Sequence, residues 1–479
     1  GTPMDVTPTT ATNINTMHPN PPSIDYISAG VWTVIGGGNG HTLGAAGTYT
    51  FPTGYTTNAR DIGANDTNDT TAGMGYREAP ADPEDPGVMT HSGTDNVAFS
   101  WAAVTIALRP IADTGNRYLV LNDAACTVTA IGTDLGCWSQ TTGGASGATI
   151  PDAGKNVFMD GSSGAGTGTL DASISITTGT YSSAGFTGTF AMASFNFTNT
   201  VTFTHSGGTI SISTGALDVG AAMVSASLTT SGAAVITMDG LTLSGSSIAK
   251  GTATLTIQGN LTMSGGDLTS TSGSASVTGN VNISSATSSI DFGSETWTVS
   301  GTWTNASTEA AWDAGTGTVV FDAAIAGTMT FAGANLAEAE FNNVTFNSTA
   351  GTPQIFTMAT RGLRLLGTLS ITDSSSTTTL ATADLAVGAA ADTADLSVGN
   401  GGLLTANAST IVVSTATMTG GTSGTITVTT GAWTVSGNWN TSGASSTYTQ
   451  GTGIVTFDAT ATITMLSTDN TFDDLTISA

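Results

Sequence analysis

Hard oxygen ligands crowd one stretch of the chain. Asp61, Asp66 and Asp69 are interleaved with Asn65 and Asn68, and Asp82-Pro83-Glu84-Asp85 follows shortly after. Carboxylates and amide carbonyls in turn-forming sequence are the donors that Ca2+ takes. Asp61, Asp66, Asp69, Asp82, Glu84 and Asp85 are therefore the candidate metal ligands, and calcium is the candidate cofactor, although their spacing fits neither an EF-hand loop nor a Gly-Gly-x-Gly-x-Asp repeat. Cys126 and Cys137 have no histidine or second cysteine pair beside them to complete a zinc site. They are expected to form a local disulfide, which suits an oxidising exterior.

Paired carboxylates are the working parts of glycosidases. Asp291 with Glu295, Glu309 with Asp313, and Glu338 with Glu340 have that composition, but residues 161–479 offer only Lys250, Arg361 and Arg364 to hold an acidic sugar. The four histidines, His18, His41, His91 and His205, are scattered. No phosphate-binding loop, dinucleotide fingerprint, nucleophile elbow or His-Glu-x-x-His motif is present. No catalytic residue is assigned, and a non-enzymatic protein is expected, with a polysaccharide-degrading enzyme as an alternative. Trp138, Trp312 and Tyr448 are candidates for stacking on sugars.

The elements that would position these groups belong to an unusual chain. Of 479 residues 62 are glycine, and only 9% are charged, where about 25% is usual. Such a composition favours light, repetitive β-structure. Eight Lys and Arg against 34 Asp and Glu give a net charge of −26, so the attraction that binds a phosphate backbone is missing and nucleic acid is excluded as a partner. No apolar run is long enough to span a membrane. The start, Gly1-Thr2-Pro3, has neither an initiator Met nor a signal-like region, and is read as that of a chain processed or excised from something longer.

Residues 1–25, with Pro3, Pro8, Pro19, Pro21 and Pro22, read as an extended arm or linker, or as a strand lent to a neighbour. Residues 26–111 form a separate module ending in the apolar run Val97–Pro110, read as a buried strand of a small antiparallel sandwich. The layout, with the tyrosine strand Met74-Gly75-Tyr76-Arg77-Glu78 and an Ala-rich last strand ending Leu108-Arg109-Pro110, resembles the jelly-roll-like modules of phage tail and surface proteins. Residues 112–160 are a junction and cap.

From about residue 161 onward, short alternating segments are punctuated by Gly, Asn and Ser. Leu255–Ser264 aligns with Ala275–Ser284 at a shift of 20, Leu241 and Leu243 extend that register backwards, and Val299, Gly301 and Trp303 extend it forwards at a shift of 22. That period predicts one coil of a parallel β-solenoid, with Leu, Ile, Val and Met inside, and Gly and Asn at corners that need positive φ. A longer repeat, at a shift of 136, carries Trp297-Thr298-Val299-Ser300-Gly301-Thr302-Trp303 onto Trp433-Thr434-Val435-Ser436-Gly437-Asn438-Trp439.

These strings, with Cys137-Trp138-Ser139 and Pro151-Asp152-Ala153-Gly154-Lys155-Asn156-Val157-Phe158-Met159-Asp160-Gly161, resemble large Thr/Gly-rich β-strand-repeat surface proteins of bacteria, archaea and phages. The resemblance implies a segment that leads into the first coil of a solenoid. The expected fold class is all-β: a small jelly-roll-like antiparallel sandwich followed by a parallel β-solenoid rod over 161–479. Coils of this length stacked about 4.8 Å apart give on the order of 16 coils and a rod of roughly 75 Å. A last strand at Ile477-Ser478-Ala479 without a polar cap predicts an open edge.

The function expected is that of an extracellular structural protein on a cell or virion surface, a fibre or filament subunit joining further copies of itself head-to-tail, by strand donation through the arm. The alternative from another class is a tail-fibre segment or adhesin that binds a surface glycan.

Overall fold

The computed structural model describes residues 6–13, 18–25, 32–41, 49–57, 69–78, 84–91, 101–108, 113, 115–308, 312–322, 327–333, 340–347, 354–358, 363–371, 376–380, 385–387, 395–399, 402–407, 411–413, 415–417, 424–428, 430–442, 446–465 and 471–478. The chain divides into two compact units, residues 1–113 and 114–479. Both are built from strands, and the three-residue turn Leu135–Cys137 is the only helical element among the described residues.

The N-terminal unit contains β1 (Thr9–Asn13), β2 (Trp32–His41), β3 (Tyr49–Thr50), β4 (Thr56–Thr57), β5 (Asp69–Glu78), β6 (Thr90–His91) and β7 (Trp101–Leu108). Five of them form an antiparallel sheet in the order β1-β7-β2-β5-β4, while β3 and β6 make a two-stranded ribbon. One face of the sheet is core: Ile35 packs with Tyr49, Phe51, Tyr55 and Met89. Glycine in β5 makes this layer possible, because a Cβ on Gly75 would lie 2.6 Å from the Phe51 ring and one on Gly73 2.9 Å from that of Tyr49.

Strand β7 alternates buried and partly exposed residues along its length. The described part of the apolar run, Trp101–Leu108, is thus a half-buried strand, and its second face is partly exposed. The arm is no free linker either: Thr9 to Asn13 run in register against Thr105 to Trp101, and Ile24 is buried.

The second unit is a parallel β-solenoid of at least 11 turns. It begins before residue 161, since β8 (Asn116–Leu119) pairs in parallel with Asn156–Phe158, which pairs with the next coil at Tyr181 and Ser182. The register follows the repeat: Leu241, Leu261, Val281 and Trp303 are successive partners, as are Leu255, Ala275 and Trp297. Inward Leu, Ile, Val, Phe and Trp fuse into one continuous core. Burial of this apolar surface, at about 25 cal/mol per Å2, is what orders a chain so poor in charge.

Two corrections follow from the coil geometry. Coils are not uniform: Leu255 meets Ala275 twenty residues on, but Trp303 meets Phe331 twenty-eight on and Leu369 meets Leu396 twenty-seven on. The turns are accordingly fewer than the sixteen expected. The long repeat is also not a whole number of coils. Trp297 heads a stack that runs through Val319, Val344, Leu369, Leu396 and Ala416 to Trp439, whereas Trp433 stacks between Ile411 and Val455 in a separate sheet. The second copy of the motif is therefore rotated onto a different face.

The Gly-Asn corners also work differently from the expectation. Gly279 and Gly301 do not have positive φ; a Cβ on Gly301 would lie 2.3 Å from the Gly279 carbonyl oxygen of the coil before. Glycine is needed there for close approach. The asparagines build a ladder, in which the Asn260 side-chain oxygen accepts from the Asn280 N–H at 2.8 Å and that of Asn280 from the Thr302 N–H at 2.9 Å.

Candidate functional site

Of the six candidate calcium ligands, Asp61, Asp66 and Asp82 lie outside the described residues, and Asp69 closes β5 at its first residue. Glu84 is 1% exposed and already engaged. Its Oε1 accepts from Tyr55 Oη at 2.7 Å and Arg77 Nε at 2.8 Å, Arg77 Nη2 pairs with it too, and the guanidinium lies 4.5 Å over the Tyr55 ring. Burial, and then the neighbouring Glu84 carboxylate, push the Tyr55 phenol well above its ordinary range. This cluster fastens the Glu84 segment, which exchanges two backbone bonds with Ile24, to the inner face of the sheet. Asp85 is exposed. Among the described residues no three His, Cys, Asp or Glu side chains converge on a point that could hold a metal.

Cys126 and Cys137 form the disulfide. It closes the first end of the solenoid, where Trp138 is fully buried and donates from Nε1 to the Ile131 carbonyl at 2.8 Å. Asp134 accepts from the backbone N–H groups of Gly136 and Thr127 at 2.8 and 2.6 Å, and these bonds hold its carboxyl below the usual carboxylate range. The motif around Asp152 and Asp160 serves the same lead-in: Asp152 accepts from Gly154 N–H, Asp160 from Ser162 N–H, and Val157 and Met159 enter the core.

Glu295 and Glu340, members of two of the carboxylate pairs, are buried. Glu295 is buried and ion-paired with Lys250; its Oε1 accepts from Ser270 Oγ at 2.6 Å, and Lys250 Nζ donates to the carbonyls of Ala253 at 2.6 Å and Ser272 at 3.1 Å. Burial raises the Glu295 carboxyl above its ordinary range. Glu340 is also buried, accepting from Trp303 Nε1 at 2.8 Å and Asn305 Nδ2 at 2.7 Å. Glu309 and Glu338 lie outside the described residues, and Asp291 and Asp313 bridge adjacent coils through their backbones. Lys250, one of two lysines in the chain, is thus a core residue and offers no charge to a sugar.

The sugar-stacking candidates are core residues as well. Trp138, Trp312 and Tyr448 are at most 6% exposed; Trp312 donates to the Glu340 carbonyl at 2.7 Å, and Tyr448 packs edge-on against Trp439. His205 is buried beside Ser183 Oγ at 2.8 Å and the Ser227 carbonyl oxygen at 2.9 Å. Burial lowers its pKa to about 4.

Strand β1 lies at the sheet edge, bonded to β7 over five register pairs, yet none of its side chains is buried. Comparison with family models, with curated proteins and with solved structures finds no match to this chain. Among the described residues no helix is long and apolar enough to cross a membrane.

Proposed function

We propose that this chain is a non-enzymatic structural protein of an extracellular fibre or filament, in which strand β1 of one copy completes the sheet of the next. The observation that carries this reading is the way β1 is held. Its five residues add a backbone ladder to β7 with little side-chain burial, so the same contacts form equally well with β1 of another copy. Exchange of an identical element between copies is a low-cost route to assembly, because the bonds lost in one chain are regained in its neighbour. A bare β7 edge, with Trp101 to Leu108 open to pairing, is an aggregation hazard that a strand must cover.

The solenoid suits a load-bearing role. Its coils are tied by backbone bonds and asparagine ladders rather than by charge, and the disulfide at Cys126–Cys137 supports an oxidising exterior. The buried Glu295, Glu340 and Lys250 favour a framework over a catalyst. Negative-stain electron microscopy of the full chain and of a chain lacking residues 1–13 tests the reading. Filaments from the first and none from the second are expected; single particles from both would overturn it.

A further inference from the structure

Three polar side chains from successive coils, Lys250, Ser270 and Glu295, meet inside the solenoid, each at most 4% exposed. They stand at the ends of the strands Val235–Gly251 and Asp267–Ser270 and just before Thr296–Val299. The register skips Lys250, since Ala249 pairs with Thr269 and Gly251, at a φ of +52°, pairs with Ser270. A bulge of this kind re-aims a side chain and is over-represented next to active sites. Here the side chain points inward and Nζ rests against Glu295 Oε2. As a stabilising device such a pair is weak, because apolar residues in its place are often neutral or better.

We propose that Lys250 and Glu295 condense into a side-chain amide, a covalent brace between coils of the solenoid. The ion pair is the state before condensation. A proton passes from the Lys250 ammonium to Glu295 Oε2, which leaves a neutral amine beside a neutral carboxylic acid, the forms that a dry site favours. The Nζ lone pair then attacks the Glu295 carboxyl carbon, and the charge that develops on Oε1 is met by the Ser270 hydroxyl, which donates to it at 2.6 Å. A second proton moves from Nζ to the Oε2 hydroxyl, the bond from carbon to Oε2 breaks, and water leaves. Nothing is oxidised or reduced.

The product keeps its polar atoms satisfied. Nζ retains one hydrogen for the carbonyl oxygen of Ala253, at 2.6 Å, or of Ser272, at 3.1 Å, and Oε1 still accepts from Ser270. In water an amine and a carboxylic acid condense poorly, because they meet seldom and both are charged. The fold removes both obstacles. Fixed, oriented groups react as if at roughly 10^5 to 10^8 M, and the amide carries neither of the two charges whose burial is costly.

The inference concerns the solenoid alone and stands whether or not β1 is exchanged between copies. Lys155 and Lys250 are the two lysines of the chain, which makes the test direct. The full chain is denatured, its disulfide reduced, its intact mass compared with that of the sequence, and the chain then digested with a lysine-specific protease. The expected results are a mass lower by one water, cleavage after Lys155 without cleavage after Lys250, and a branched peptide that joins the Lys250 and Glu295 segments. Glu295→Met should restore the full mass and the cut after Lys250. Ser270→Ala should slow the loss of water by at least about tenfold when the mass is followed during refolding from inclusion bodies, with unchanged circular dichroism. A wild-type chain of full mass that is cut after both lysines overturns the proposal, and that readout depends on no variant folding. A missing water that maps to any other residue overturns it too.

Discussion

Replacing Lys250 with Met strips the only cation from a buried carboxylate, and the cost can be worked out. Both side chains of the Lys250–Glu295 pair are fully buried. Without the ammonium, Glu295 keeps one donor, Ser270 Oγ, and the cheapest remedy is to bind a proton. An ordinary glutamate has a pKa of about 4.3, so holding it neutral at pH 7 costs about 3.7 kcal/mol at about 1.36 kcal/mol per pH unit. That agrees with the 3–5 kcal/mol, roughly, that breaking a buried pair costs.

The sign of the pH dependence follows. A carboxyl whose folded pKa is raised contributes fully below its unfolded value, and that contribution falls as pH rises, so the Lys250→Met penalty should shrink toward about 1 kcal/mol at pH 5. Stacked coils open locally, so the fitting assay is amide hydrogen exchange at Leu268, Ile290 and Trp297, where 3.7 kcal/mol appears as roughly a 500-fold acceleration. The double substitution Lys250→Met with Glu295→Met should recover most of the loss. A single substitution that accelerates exchange less than about fivefold, or equally at pH 5 and pH 7, would refute the claim that the pair is dry.

Other outcomes follow from the same contacts. His205, with a folded pKa of about 4 against about 6.5 unfolded, binds its proton first in the unfolded state. Stability of the neighbouring coils should therefore be full above pH 6.5 and fall by about 3 kcal/mol as pH drops to 4, with His205→Phe flattening the profile in denaturant titrations. Removing the disulfide with Cys126→Ala and Cys137→Ala should cost about 3 kcal/mol for a loop of this length, read as earlier exposure of Trp138 fluorescence while the later coils melt unchanged. Gly301→Ala, which drives a Cβ to 2.3 Å from the Gly279 carbonyl oxygen, should destabilise that corner by more than the same change at Gly245, where a Cβ meets nothing within 4 Å although φ is +117°. Comparing the two variants in thermal melts separates close approach from backbone conformation.

The solenoid was legible because its coils near Leu255 keep one length. Equal spacing makes a stacked neighbour visible as a sequence alignment, and the pairs read that way, from Leu241 with Leu261 to Val281 with Trp303, are the structural partners. Beyond Trp303 the coil length changes, and the alignment no longer reports the stack. Hence the motif at Trp433 looks like a continuation of Trp297 yet stands on another face.

The polar interior was less legible. Lys250 and Glu295 stand two coils apart, and nothing local marks either as buried; the one signal was a lone lysine in a chain almost without them. Trp138, Trp312 and Tyr448 were read as aromatics that could stack on sugars, but such a residue can point inward as readily as outward, and all three are buried. The partly exposed second face of the N-terminal sheet was hidden for a related reason. Val97–Pro110 is apolar on both faces, which is also the pattern of a strand buried on both.

The most direct measurement of the central claim is the location of the partner of β1 in the assembled protein. Thr10 and Val104 face each other in register, so the chain carrying both Thr10→Cys and Val104→Cys, assembled and then oxidised, reports on it in a denaturing, non-reducing gel. A ladder of covalent multimers is expected if β1 crosses to the next copy. A single band at the monomer, with both thiols consumed, would place β1 in its own chain and contradict the account.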